Sequence, residues 1–272
     1  MSRSKARTIG QVVREEDLDE INESAHRIAW KHAYIAYYEP ESRKESPLLM
    51  DCTKFIRKST DLDFAYFVKS GDYNLFSFRG TDTEDKNFRD NVRTWFSNLD
   101  GFPLRKPKDD ADAIQMAREN GLLTNGSWGQ GTIHDGFYTL WAKHFKPWVR
   151  NVIKKFNIKK GDKIIFTGHS RGGTQAELGA RDIAKNLGIP CSCYTYGCPG
   201  VGTKAYQDEF RLLPINGIRT IDGWDIVVDA AIGFKHGCLG RFWYRRPWIF
   251  KLLPIVRIHD HWQSRYDKKV MS

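Results

Sequence analysis

The chain has 272 residues, of which 40% are hydrophobic and 28% are charged, with a formal net charge of +10. This balance is typical of a globular protein and excludes a disordered chain, and no window holds the roughly 18 apolar residues of a membrane span. The positive charge suits nucleic acid, an anionic membrane or an acidic partner equally, and so selects none of them.

The termini and the cysteines indicate the cellular setting. The basic N-terminus lacks the apolar core of a signal peptide, so we expect an intracellular, cytoplasmic protein, either soluble or peripheral to a membrane. Five cysteines do not form a disulfide framework in a chain of this size. Cys191 and Cys193 lie on one face of a predicted strand and lack CxxC spacing. We therefore expect buried thiols, no structural metal and no cofactor.

The first half of the chain contains a helix, a hairpin and a polar insertion. Apolar residues at helical spacing predict a long helix over residues 14–38. Aromatic-rich runs at 62–69 and 73–79, around a Ser-Gly-Asp turn, predict an antiparallel hairpin. Residues 83–131 are polar and irregular, which predicts either a lid or a solvated insertion.

The second half alternates between helical and strand patterns. Apolar steps of three and four residues predict a helix over 137–156, and a short apolar run predicts a strand over 163–167 that is followed by a helix to Asn186. Such alternation predicts an α/β fold with a mostly parallel sheet covered by helices on both faces, in one domain over residues 1–272. The remaining elements are predicted strands at 191–196, 217–221 and 233–244, and a short helix near His261.

A GxSxG motif, Gly168-His169-Ser170-Arg171-Gly172-Gly173, lies between the predicted strand and the helix that follows it. A serine on a tight strand-to-helix turn projects its hydroxyl from the edge of the sheet, and small neighbours make room for the turn. The amino end of the following helix favours developing negative charge. Ser170 is therefore a candidate nucleophile.

A serine nucleophile requires a histidine base and an orienting carboxylate, in this fold type in the chain order serine, acid, histidine. Asp225 and Asp222 both follow the predicted strand at 217–221. Three histidines come later, at His236, His259 and His261. His236 lies within a predicted strand, which favours a structural role, and spacing alone barely separates the other two.

These motifs resemble those of the class 3 lipases, the fungal lipase-like hydrolases. The resemblance spans about residues 62–266 and rests on five blocks in the family's order. The blocks are Phe78-Arg79-Gly80-Thr81 with Trp95 and Asn98-Leu99, Ile133-His134-Asp135-Gly136-Phe137, the GxSxG motif, Tyr194-Thr195-Tyr196-Gly197-Cys198-Pro199-Gly200-Val201-Gly202, and the segment with Asp225, Ile226 and Val227.

The resemblance implies an α/β-hydrolase fold and a set of roles. Ser170 would be the nucleophile, Asp225 the triad acid and His261 the base. The backbone amides of Thr81 and Arg171 would form the oxyanion hole. The implied reaction is hydrolysis of a carboxylic ester, without a cofactor or metal.

Several positions refine or depart from the family pattern. The family places a tyrosine five residues after the base, and Tyr266 satisfies this for His261, whereas His259 does not. Family elbows usually carry leucine where this chain has Arg171, so its guanidinium is expected to contact a substrate or a carboxylate. His134 is structural in the family. The separation of Thr81 from Trp95 is longer than is typical, which suggests an enlarged lid.

The expected substrate is the acyl ester of a lipid, as in a triacylglycerol lipase or esterase. The alternatives are a phospholipase or other acyl hydrolase with the same triad, and a catalytically silent lipid-binding module. An aromatic and basic run at residues 240–254 suits peripheral contact with an anionic membrane. No nucleic-acid partner is expected, and the oligomeric state stays open.

Overall fold

The computed structural model describes residues 23–37, 49–58, 61–80, 115, 123–124, 133–223, 225–229, 234–244, 261 and 263–271. Four expectations therefore lie wholly or largely outside the described residues. They are the beginning of the predicted helix 14–38, the insertion 83–131, Thr81 and His259.

A seven-stranded sheet lies at the centre of the fold. The strands are β1 (Leu49–Lys58), β2 (Asp61–Ser70), β3 (Tyr73–Phe78), β4 (Leu123–Thr124), β5 (Ile133–His134), β6 (Lys163–His169), β7 (Cys191–Tyr196), β8 (Ile215–Asp222) and β9 (Leu239–Tyr244). Their order in the large sheet is β1-β2-β3-β6-β7-β8-β9, and β4 pairs with β5 separately. The first two pairings of the large sheet are antiparallel and the other four are parallel. The prediction of a mostly parallel sheet is confirmed.

Helices connect the parallel strands and cover both faces of the sheet. They are α1 (Glu23–Ile35), α2 (Asp135–Leu140), a π-helical segment (Trp141–Phe145), α3 (Lys146–Lys155), α4 (Arg171–Leu187), α5 (Lys204–Leu212), α6 (Ile226–Asp229) and α7 (Gln263–Val270). Parallel neighbours require such crossovers because a short turn cannot return the chain to the same end of the sheet. Among the residues that the structure describes, no helix is long and apolar enough to cross a membrane.

The core has two apolar layers because side chains alternate between the faces of each strand. On one face, Phe76 and Phe166 stack with ring centroids 5.0 Å apart, in a layer that also contains the fully buried Trp141 of the π-helical segment. On the other face, Tyr196 meets the fully buried Trp30 of α1 at 4.8 Å. Helix α1 therefore closes the second face of the sheet and lies beside the strand ends that form the candidate site.

Most predicted elements are present, although β4, β5 and α5 were not predicted, and three further differences have a clear basis. The predicted helix 14–38 ends at Ile35, and the chain turns at Ala36 and Tyr37. Strand β1 was not predicted, because its mixture of charged and apolar residues suits a sheet edge rather than a regular alternation. The strand predicted at 233–244 begins only at Leu239, since residue Lys235 pairs instead with Gly202 in the loop after β7.

Candidate active site

Ser170 occupies a tight turn between β6 and α4. Its backbone has φ 56° and ψ −132°, a conformation that residues other than glycine rarely adopt. The turn is held by a hydrogen bond from the Ser170 amide to the Tyr196 carbonyl at 2.8 Å and by one from the Gly173 amide to the Ser170 carbonyl at 2.9 Å. This strained strand-to-helix turn is the geometry that the GxSxG motif predicts.

The small residues of the motif let α4 approach the sheet. A Cβ atom added to Gly172 would lie 2.1 Å from the Phe78 carbonyl oxygen of β3, which is closer than atoms can pack. Any larger residue would therefore push the amino end of α4 away from the sheet. The backbone amides at this end of the helix point toward the turn and favour negative charge there.

His261 and Asp225 form a buried pair. The Nδ1 atom of His261 lies 2.8 Å and 2.9 Å from the two carboxylate oxygens of Asp225. Their side chains are 1% and 0% exposed. Since a carboxylate can only accept, the ring carries its proton on Nδ1, and Nε2 is left without a hydrogen-bond partner among the described residues. The pair therefore offers one free nitrogen, which is the atom a general base uses.

Further hydrogen bonds orient the carboxylate of Asp225. The hydroxyl of Tyr266 donates to Oδ2 at 2.6 Å, and the Val227 amide donates to Oδ1 at 2.9 Å. Burial raises the pKa of Tyr266 well above its usual value, and the nearby Asp225 charge adds to this, so the hydroxyl remains a donor. The rival carboxylate, Asp222, is paired with Arg265 at 3.0 Å. The structure thus brings Asp225, and not Asp222, to His261.

His169 packs against His261. The two rings stack with centroids 4.6 Å apart, and His169 Nε2 lies 3.1 Å from the His261 carbonyl oxygen. Because a carbonyl can only accept, Nε2 is the donor and Nδ1 accepts from the Tyr37 hydroxyl at 2.7 Å. Burial, together with the neighbouring His261, lowers the pKa of His169 well below its usual value, so its ring is neutral. The sequence analysis did not predict the contacts of His169 with His261 and Tyr37, since both partners lie far from His169 in the chain.

Gly197 lies between the His261–Asp225 pair and the turn at Ser170. Its φ is 53°, and an added Cβ would lie 2.7 Å from Asp225 Oδ2 and 3.0 Å from His261 Nδ1. It directly follows Tyr196, whose carbonyl accepts the hydrogen bond from the Ser170 amide. Ser170, Asp225 and His261 therefore meet at one edge of the sheet, where the carboxyl ends of the parallel strands lie.

The side chain of Arg171 contacts β2 rather than the His261–Asp225 pair. Its Nη2 atom donates to Asp63 Oδ1 at 2.6 Å, and the Asp63 side chain is 1% exposed. Of the two contacts expected for this guanidinium, the structure shows the carboxylate. The Arg171 backbone amide stays at the first position of α4, where the predicted oxyanion hole requires it. Thr81, the other predicted donor, lies outside the described residues.

Two other histidines of the sequence analysis lie elsewhere. His134 caps α2, where its Nδ1 accepts from the Gly136 amide at 3.2 Å, and its ring stacks on Phe137 at 4.3 Å. Burial lowers the pKa of His134 to about 4. His236 is buried in a separate cluster with Glu177, described below. Neither histidine is paired with Asp225 in the structure.

Comparison with known proteins places this geometry in a family. A sequence model described as lipase (class 3) matches residues 75–233, which is more than half of the chain. Phospholipase A1-IIdelta of Arabidopsis thaliana is 39% identical over 98 residues, which are 34% of this chain and 22% of the plant protein. A lipase of Rhizomucor miehei is 33% identical over 111 residues, 38% of this chain and 31% of that protein.

The fold is also that of solved lipases. The structure of the Rhizomucor miehei triacylglyceride lipase superposes with a TM-score of 0.62 at 19% identity, covering 89% of this chain and 93% of that one. This likeness shows the α/β-hydrolase fold. The sequence matches to the curated relatives are shorter, and span less than a third of either relative's length.

Proposed function

Because this chain belongs to the class 3 lipase family, we propose that it hydrolyses the carboxylic ester bonds of lipids through a covalent acyl-enzyme. The observation that carries the proposal is the buried pair of His261 and Asp225, which leaves His261 Nε2, near the Ser170 turn, without a hydrogen-bond partner in the part of the chain that the structure describes. An idle structural histidine would be expected to satisfy both ring nitrogens. A general base needs one of them free.

In the first half of the reaction, the Ser170 hydroxyl attacks the ester carbonyl carbon and transfers its proton to His261 Nε2. The resulting imidazolium is stabilised by the carboxylate of Asp225, which also holds the ring in the required tautomer. The negative charge on the carbonyl oxygen is stabilised by the Arg171 amide at the amino end of α4, with the Thr81 amide as the second donor. His261 then returns the proton to the departing alcohol.

In the second half, water replaces the alcohol. His261 Nε2 takes a proton from the water, whose oxygen attacks the acyl carbon of the Ser170 ester. Collapse of this intermediate releases the free acid, and the proton returns to Ser170. Each step needs only the residues named here, so we propose no metal or cofactor in the reaction.

The substrate class follows from the relatives. Both kinds of named relative, a plant phospholipase A1 and fungal lipases, are named for acyl lipids. We propose the acyl ester of a glycerolipid, with neutral glycerides as the first candidate. A phospholipid is the second candidate, favoured by the 39% identity to the plant phospholipase over the matched segment.

Peripheral membrane contact is part of the proposal. The chain has a net charge of +10, and its aromatic and basic run at residues 240–254 suits an anionic lipid surface. Of this run, the structure describes only the part in β9. Since all five cysteines are unpaired, as is usual in a reducing compartment, we also propose an intracellular location.

Hydrolysis of short- and long-chain p-nitrophenyl esters tests the reaction. We expect the wild type to turn over, and Ser170→Ala and His261→Ala to lose at least about 10³-fold in kcat. His259→Ala is the matched control and should stay within a few-fold of the wild type. A wild-type rate in Ser170→Ala would refute the nucleophile, and equal loss in both histidine variants would leave the base unassigned to His261.

The same assay with lipid vesicles tests the rest of the proposal. Faster hydrolysis of long-chain esters on anionic vesicles than on zwitterionic ones would support membrane contact. Release of fatty acid from triacylglycerol, compared with phosphatidylcholine, would separate the two substrate candidates. If the wild type hydrolyses no ester but binds vesicles, the chain is a silent lipid-binding module and the enzymatic proposal fails.

A further inference from the structure

A second cluster of chemically active side chains lies in the interior, apart from His261. It consists of Glu177 on α4, Cys198 in the loop after β7 and His236 in the segment before β9. All three residues are buried, and one ligand atom from each lies within 4.8 Å of the other two. An oxygen, a sulfur and a nitrogen donor thus converge from three separate parts of the chain.

Two of these donors lack hydrogen-bond partners. Glu177 Oε1 accepts from the Gly237 amide at 2.7 Å, but Oε2 has no hydrogen-bond partner among the described residues. The same holds for Nδ1 of His236. The Tyr206 hydroxyl and the Cys238 backbone amide also lie beside the carboxylate. Buried polar atoms are nearly always paired, so unpaired atoms on two residues of one cluster indicate a missing ligand.

We propose that Glu177, Cys198 and His236 bind a zinc ion. A carboxylate, a thiolate and an imidazole are the three ligand types that zinc takes in proteins, whereas calcium and magnesium prefer oxygen alone. Binding replaces the thiol proton of Cys198, which passes to solvent. In the structure this thiol contacts the carbonyl of its neighbour Pro199, at 3.2 Å, and lies beside the side chain of Thr195. Its exchange for a zinc–sulfur bond therefore breaks no long-range contact that the structure shows.

Neighbouring groups suit the charge of such a site. The Cys238 thiol lies beside Glu177 but does not converge with the three ligands, so the fourth tetrahedral position is left to another donor. Burial raises the pKa of both Glu177 and Cys198, and the nearby cation Arg219 of β8 offsets part of this shift. With Glu177 and Cys198 ionised, the ligands carry two negative charges, which the zinc ion neutralises.

The ion would act as a structural brace. It would add a link between α4, the loop after β7 and the chain entering β9, which are already joined by the hydrogen bond from Gly237 to Glu177 and by the pairing of Gly202 with Lys235. The loop after β7 also contains Gly197, next to His261. The brace does not depend on the reaction proposed for Ser170. Sequence spacing predicted no metal because the ligands are widely separated in the chain.

Metal analysis of the folded full-length chain tests the site. Because the cluster is buried, the protein is refolded with zinc sulfate or with a chelator, and bound zinc is then counted by elemental mass spectrometry. We expect close to one zinc per chain and a higher Tm for the zinc-refolded protein. Refolding with cobalt should give the near-ultraviolet absorption of a cobalt–thiolate bond.

Variants assign the ligands. Cys198→Ser and His236→Asn should weaken zinc binding at least about tenfold, and Cys198→Ser should lose the cobalt–thiolate absorption. Cys52→Ser, which changes the exposed cysteine of β1, is the matched control and should bind as the wild type does. Wild-type protein that refolds without zinc and with the same Tm in chelator would overturn the proposal, whatever the variants do. So would unchanged binding in Cys198→Ser.

Discussion

Two buried carboxylates, Asp225 and Glu177, each lie close to a histidine, and they differ in how their polar atoms are satisfied. Both oxygens of Asp225 are bonded, to His261 and to Tyr266 among others, and in this pair only Nε2 of His261 lacks a partner among the described residues. In the other cluster, Glu177 Oε2 and His236 Nδ1 form no hydrogen bond to a residue that the structure describes. The first pair is complete except at the atom that would accept a proton, whereas the second cluster is incomplete at both the carboxylate and the histidine.

This difference separates two roles for buried charge. A carboxylate with full hydrogen bonding serves to fix the orientation and charge of its histidine, because each bond removes a way for the pair to rotate. A carboxylate with an unpaired oxygen costs free energy unless a further group arrives. The same residue types therefore indicate a reactive site in one place and a binding site in the other.

Asp225→Asn breaks the complete pair and has the largest expected effect. An amide can present its NH₂ group to Nδ1 and so stabilise the wrong tautomer of His261, and it cannot stabilise the imidazolium. We expect kcat for a p-nitrophenyl ester to fall by about 10⁴-fold, with the fold retained by circular dichroism.

Asp182→Asn is the control for this change. Asp182 is also a buried carboxylate, on α4, but it is paired with Arg150 of α3 at 2.8 Å. Its variant should keep kcat within a few-fold of the wild type. A comparable loss in both variants would mean that the effect comes from any buried charge and not from the partner of His261.

Arg171→Leu extends the comparison to a third buried carboxylate, Asp63, which forms an ion pair with Arg171. The change leaves the Asp63 charge buried without its guanidinium, so we expect the free energy of unfolding to fall by about 3 kcal/mol in denaturant titration. Lys155→Leu removes the exposed partner of Asp51 and should cost less than about 1 kcal/mol.

The double variant Arg171→Leu with Asp63→Leu decides the cause of that loss. Replacing both charges by apolar groups removes the buried charge of Asp63 together with that of Arg171, so part of the stability should return. If the double variant is less stable than Arg171→Leu alone, the ion pair is not the reason for the loss. The packing of the helix end would then be the explanation.

The elements that the sequence predicted best are those with a local signal. The hairpin of β2 and β3 follows from two aromatic-rich runs around a turn, and α4 from its position after the GxSxG motif. The pairing of Asp225 with His261 agrees with the residues chosen from the chain order and the family pattern, while their catalytic roles stay proposals. Such features depend on residues close together in sequence, where periodicity and motif spacing carry information.

What the sequence could not predict depends on contacts between distant segments. Nothing near Arg171 indicates that its partner is Asp63, or that Tyr37 reaches His169, because both pairings arise from the packing of whole elements. The cluster of Glu177 and its partners was missed for the same reason. The π-helical segment inside the predicted helix 137–156 was also not predicted, because it leaves the spacing of the apolar residues nearly unchanged.

His134 provides a test at a partly buried histidine outside the candidate active site. Its pKa is about 4 in the folded protein against 6.5 in an ordinary environment, so folding favours the neutral ring. The unfolded chain then binds more protons, and stability is complete above pH 6.5 and falls as the pH decreases from 6.5 to about 4. We expect a loss on the order of 2 kcal/mol over that window, measured by denaturant titration.

His134→Asn is the variant that isolates the contribution of His134 to the pH dependence of stability. Asparagine can still accept the hydrogen bond from the Gly136 amide at the start of α2, but it does not titrate. The pH-dependent loss should therefore shrink in this variant. His144→Asn, which changes an exposed histidine of the π-helical segment, should leave the loss unchanged. Identical pH profiles in the wild type and His134→Asn would show that other groups cause the acid sensitivity.

Tyr266→Phe removes one hydrogen bond from an oxygen of Asp225 and so makes this carboxylate more like that of Glu177. The phenyl ring keeps the packing of α7, while the donor at 2.6 Å is lost. A net hydrogen bond to a charged group contributes about 1.5 kcal/mol, so we expect kcat to fall about tenfold with KM unchanged. Tyr73→Phe, on β3, is the control and should keep the wild-type kcat. A lower Tm in Tyr266→Phe with an unchanged kcat would instead assign the hydroxyl a purely structural role, and the completeness of the Asp225 pair would then not be needed for the reaction.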